Sequence, residues 1–196
     1  MNTEIILTSL LPVVHAFEEL AIDYYVGGSV ASLAYGVYRT TADVDIVAEI
    51  RQEHIPMLVE LLKRDFYIDA DMIKDAIRHR SEFNLLHLQT MFKVDVFLQK
   101  KRLYDLEVRS RVQPGKLSET QDDYQFFMES PEDVVLTKLE WYKMGGGVSD
   151  RQWGDIVNIM TALGPTLEQD YLHHWASVLG VGDLLERALS EAGLSE

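Results

Sequence analysis

The chain contains no cysteine, which excludes a disulfide framework, a thiolate metal site and a thiol nucleophile. Any metal must sit on oxygen or histidine. Basic residues are also scarce: 18 Lys and Arg stand against 32 Asp and Glu, a formal charge of −14. That balance argues against tight nonspecific duplex binding, whose affinity comes mostly from neutralised phosphates. Long apolar runs are missing, and none approaches the roughly 20 residues needed to cross a bilayer. Met1-Asn2-Thr3-Glu4 lacks the basic stretch of a secretory signal, so the expectation is a soluble, cytoplasmic protein with no membrane partner. His54, His79, His87, His173 and His174 show no ligand spacing of the His-x-x-x-His kind, which argues against a zinc hydrolase. Internal repeats, low-complexity tracts and flexible linkers are absent as well.

What is present suffices for a globular core: 196 residues, 47% of them hydrophobic. Leu10, Leu11, Val14, Phe17, Leu20 and Ala21 recur at helical spacing over 8–22. A short β-prone run, 23–26, then meets Gly27-Gly28-Ser29, and small residues from Val30 open a second helix. Residues 42–50 alternate, with Val44 and Ile46 on one face and Asp43 and Asp45 on the other, as a strand requires. Helices are expected over 53–64 and 71–79. A hairpin over 82–98 puts Val94 and Val96 on one face and Asp95 on the other. Strand-like pieces are expected near 107–113 in the basic stretch 100–116, which reads as a solvated loop and edge strand. Ser130-Pro131-Glu132-Asp133 has the order of a helix start, with an end at Gly145-Gly146-Gly147. Ser149 caps the next helix to about 163, and two more occupy 167–179 and 181–193; Trp141, Tyr142 and Trp153 read as packing between these helices. The fold class is therefore α/β (α+β), a small mixed sheet flanked by helices over 1–128, followed by a helical lobe over 129–196.

Two aspartates at i and i+2 on a strand share a face about 6.5 to 7 Å apart, a spacing their side chains can close around one or two divalent ions. Asp43 and Asp45 have this spacing, and an ion-free solvated face is the ordinary alternative. A third carboxylate one strand away would complete a site for two metals, and Asp95 is the sole acid on its strand. Glycine in Gly27-Gly28-Ser29 lets backbone N–H groups approach a phosphate ahead of a helix N-terminus, although such a triplet also serves as a plain tight turn.

Together, Gly27-Gly28-Ser29, then Arg39-Thr40-Thr41, Asp43-Val44-Asp45 and Val94-Asp95-Val96 resemble the polymerase-β-type nucleotidyltransferase superfamily, and the Arg-Thr-Thr approach is similar to its minimal, AbiEii-like toxin branch. Glu132 to Leu139 with Arg151 and Asp155 resembles the helical segment of those relatives, in which a lysine and a later aspartate reach the site. The resemblance implies transfer of a nucleoside monophosphate from an NTP to an acceptor hydroxyl. It places Mg²⁺ or Mn²⁺ on Asp43, Asp45 and Asp95, and the β- and γ-phosphates on Gly28 and Ser29. Nucleotide contacts also fall to Arg39, Thr40, Lys138 and Asp155. ATP is one of four candidate donors, the acceptor is an RNA end, a protein or a small molecule, and an antitoxin partner is implied for a toxin. The alternative is a catalytically inactive nucleotide-binding or structural partner of the same fold.

Overall fold

The computed structural model describes residues 3–37, 40–117 and 125–194. In chain order its elements are α1 (Thr3–Glu19), β1 (Tyr24–Gly27), α2 (Gly28–Ala34), β2 (Asp43–Ala48), α3 (Ile55–Leu62), β3 (Phe66–Tyr67), α4 (Ala70–His79), β4 (Glu82–His87) and β5 (Lys93–Leu98). There follow α5 (Leu103–Ser110), β6 (Gln113–Gly115), β7 (Phe126–Met128), α6 (Pro131–Met144), α7 (Asp150–Leu163), α8 (Gln169–Leu179) and α9 (Gly182–Glu191).

The strands form one mixed sheet in the order β3-β4-β5-β2-β1-β7-β6. Strand β2 runs parallel to β5 and antiparallel to β1. Alternation along β2 and β5 divides the sheet into two faces. Val44, Ile46, Ala48, Val94, Val96 and Leu98 are buried in a core they share with apolar residues of α1, α3 and α4. A second core, built largely from α6 to α9, includes Tyr25 of β1, Ala31 of α2 and Tyr104 and Val108 of α5. Side chains Asp43, Asp45, Asp95 and Phe97 lie on the other face, and their intermediate burial marks a cleft wall rather than a core.

Local signals explain the ends of three helices. Ser130 Oγ accepts from Asp133 N–H at 3.2 Å with Pro131 in the first turn, and Ser149 Oγ accepts from Gln152 N–H at 3.3 Å. Asp69 caps α4, which ends at Arg80 in the left-handed region.

Two expectations change, and one element was not anticipated. The first helix spans 3–19 rather than 8–22, because the chain turns at Leu20 and Ala21, the latter with φ 51. Most of the segment expected to be strand-like near 107–113 lies in α5; strand begins only at Gln113. Helix wins there because the Asp105 carboxylate accepts from Arg102 N–H at 3.1 Å, while Tyr104 and Val108, four residues apart, bury one stripe in the second core. The two-residue β3 carried no sequence signal.

Candidate active site

Asp45 is paired in register with Asp95 across β2 and β5, and Asp43 is paired with Lys93. In-register partners on neighbouring parallel strands are about 4.8 Å apart and point to the same face, so the topology brings all three aspartates together. Gly27 of β1 is paired with Asp45 on the other side, which sets the Gly27-Gly28-Ser29 turn beside the acids. Thr41 fixes the entry to the strand, its hydroxyl donating to the Asp43 carbonyl at 3.0 Å and lying 3.1 Å from Asp43 Oδ1.

The turn and Asp45 are fitted to each other. Gly28 has φ +57, and a Cβ there would lie 1.8 Å from Asp45 Oδ2. The Ser29 backbone N–H donates to the Asp45 carboxylate, yet its pKa is still pushed up to about 6, first by burial and then by the charges of Asp43 and Asp95. Carboxylates so placed are stabilised either by a proton or by a cation. Asp95 already has one in Lys93, whose Nζ lies 2.7 Å from Asp95 Oδ2.

The cleft over Asp43 and Asp45 has a volume of about 540 Å³, and its lining includes Gly28, Ser29, Asp43, Asp45, Lys138 and Asp155 but not Asp95, which is held by Lys93 beside it. Lys138 and Asp155 face each other from α6 and α7 at 2.9 Å, both buried. Arg151 also lines the cleft, while Thr40 is exposed and not part of the lining. Arg39 lies outside the described residues.

Two cleft residues were missed in the sequence. Glu129 is buried, accepts from the Gly28 backbone N–H, and has its pKa pushed up to about 8 by burial, then by Asp133 and Asp45. Its Oε2 has no hydrogen-bond partner, so a neutral carboxyl group lies against the turn. Glu129 follows the three-residue β7, and no periodicity in so short a strand reveals that it pairs with β1. Trp141 was read as helix packing. It instead lines the cleft, 42% exposed, with its ring 6.3 Å from that of Phe97. Tyr142 and Trp153 do pack together between α6 and α7, with centroids 5.1 Å apart.

Divalent ions suit this donor set in charge and register: hard carboxylate oxygens on one face, with the Asp45 carboxylate raised in pKa by burial and by the charges of Asp43 and Asp95. Among the described residues, however, no three His, Cys, Asp or Glu side chains already converge as a metal cluster. Asp95 is instead engaged by the Lys93 ammonium group at 2.7 Å. No helix among the described residues is long and apolar enough to cross a membrane.

No family model and no curated protein matches the chain, but solved structures do. The antibiotic-resistance factor ANT(2'')-Ia in solution aligns over 98% of this chain and 98% of its own, at 15% identity and TM-score 0.54. Its crystal structure in complex with adenylyl-2''-tobramycin aligns over 91% and 98%, at 12% identity and TM-score 0.56. An antigenic nucleotidyltransferase-like protein from Paracoccidioides brasiliensis aligns over 93% and 89%, at 21% identity and TM-score 0.53. The chain therefore has the fold of the nucleotidyltransferases.

Proposed function

We propose that this chain is a metal-dependent nucleotidyltransferase that moves a nucleoside monophosphate from an NTP to a hydroxyl of a small molecule. The register of Asp45 against Asp95, with Asp43 on the same face and the Gly28 turn alongside, carries the reading. Asp43 and Asp45 would hold Mg²⁺ or Mn²⁺ together with Asp95. Such ions, when bound, offset phosphate charge and lower the pKa of the acceptor hydroxyl.

Electrostatics support metal dependence. Glu129 is neutral near pH 7, and Asp155 is matched by Lys138, which leaves Asp43, Asp45 and Glu82 facing Arg151 in the cleft lining. A triphosphate meets net repulsion there unless divalent cations accompany it. Ser29 and Lys138 then take the phosphates, Asp155 orients Lys138, and the protein contributes mainly position and fixed charge.

The acceptor reading follows from charge. In the basic stretch 100–116 the arginines are engaged by carboxylates, Arg102 with Asp105 and Glu140, Arg109 with Asp23, Arg111 with Glu132, Asp133 and Glu168, so an RNA end would have to rely on the exposed Lys100, Lys101 and Lys116. This weighs against an RNA-modifying toxin. ANT(2'')-Ia, which shares the fold over nearly its whole length, is found with an adenylylated small molecule.

The Lys93 contact favours one other reading, an inactive partner in which Lys93 permanently replaces the metal at Asp95. Thermal unfolding with each NTP, with and without Mg²⁺, separates the two. Ligand at 100 times its Kd adds about 2.7 kcal/mol, so the transferase reading expects a rise that needs metal and vanishes in Asp45→Asn. A rise indifferent to metal supports the inactive partner, and no rise with any nucleotide rejects both nucleotide readings.

A further inference from the structure

Resting on the nucleotide reading above, we infer that Trp141, backed by Phe97, is the platform on which the base of the bound nucleotide stacks. The two rings meet edge to face, one from α6 and one from β5, so helix wall and sheet floor join in a single aromatic corner. Trp141 is 42% exposed there and shares the lining of the adjoining cavity with Met144, which is 68% exposed. An aromatic pair lining a cleft of charged groups marks a binding surface more than a folding requirement.

Position selects the occupant. Trp141 lies three residues beyond Lys138 on α6, about 4.5 Å along the helix axis. Phe97 lies two residues beyond Asp95, about 7 Å along the strand and on the same face. A nucleotide with its phosphates at Lys138, Asp43 and Asp45 therefore needs only its sugar to reach the corner. Val47, Phe97 and Trp141 also line an adjoining cavity of about 180 Å³ whose far wall carries the Arg102, Asp105 and Glu140 ion pairs, so the aromatic corner stands between the two cavities on the α6 side. The opposite side, where Asn84 is paired with Asp95 and Glu82 with Phe97, is polar and is left to the acceptor. Stacking uses the π-face that every base has, so this platform binds purines and pyrimidines alike.

The test is equilibrium binding of MgATP and of magnesium tripolyphosphate, which lacks sugar and base, to the wild type, Trp141→Ala and Trp141→Phe. Trp141→Ala is expected to weaken MgATP about tenfold while leaving tripolyphosphate within about twofold, and Trp141→Phe to stay near the wild type. Equal MgATP affinity in Trp141→Ala and wild type overturns the platform, as does an equal loss for both ligands, and either result leaves the nucleotide site standing. A wild type that binds neither ligand overturns both. Thermal unfolding of each variant without ligand shows whether it is folded; a Trp141→Phe variant that loses MgATP while folded counts against stacking.

Discussion

Gly28 and Asp45 are packed so closely that a Cβ on the glycine would lie 1.8 Å from the aspartate Oδ2. Substitution there meets both a steric clash and a left-handed backbone that costs a side-chain-bearing residue roughly 1 to 2 kcal/mol. Gly28→Ala is expected to lower the unfolding temperature and to abolish metal-dependent stabilisation by nucleotide. A variant with wild-type nucleotide binding would show that Asp45 is not held by the turn.

Lys93 competes with metal for Asp95. Their ion pair is partly exposed, with Lys93 at 44% and Asp95 at 14%, a setting in which such pairs are worth on the order of 0.2 to 1 kcal/mol. Lys93→Ala is expected to lower the Mn²⁺ concentration for half-saturation by up to about fivefold. Weaker Mn²⁺ binding in the variant would contradict this.

The Lys138–Asp155 pair is buried on both sides, so removing one partner strands a charge. Asp155→Ala alone is expected to cost about 3 to 5 kcal/mol in urea unfolding, and Lys138→Met with Asp155→Leu to cost less than either single change. Additive losses would mean the two groups do not act as a pair.

Glu129 makes stability depend on pH in a definite direction. Its pKa is about 8 when folded against an ordinary 4.5. Below about pH 4.5 both states are protonated and nothing is lost. Between 4.5 and 8 the unfolded chain gives up the proton while the folded one keeps it, so stability falls through that window and levels off above it. Glu129→Gln lacks this loss. The variant's advantage in urea unfolding is expected to grow from pH 5 to pH 8, reaching on the order of a few kcal/mol. An advantage constant with pH would show that Glu129 is ionised in the folded protein.

The sheet strands that hold the aspartates were legible because period-two alternation is strong there: Val44 and Ile46 bury as Asp43 and Asp45 face the cleft. Helices α6 and α7 were legible through Ser130, Pro131 and Ser149, whose capping chemistry is local. Glu129 was not, because its place depends on β7 pairing with β1, a contact across about 100 residues with no local trace. Trp141 was misassigned because an aromatic residue in a helix reads as core, and only tertiary packing shows which face meets the cleft. The strand expected near 107–113 failed for a similar reason, since burial of Tyr104 and Val108 outweighs local preference.

The central claim is that Asp43, Asp45 and Asp95 act as one metal–nucleotide site. The most direct measurement is Mn²⁺ binding, followed by electron paramagnetic resonance in the presence of ATP, for the wild type and for the asparagine variant at each position. Loss of nucleotide-dependent Mn²⁺ binding in all three is the expected result. An Asp95→Asn variant that binds Mn²⁺ and ATP like the wild type would contradict it.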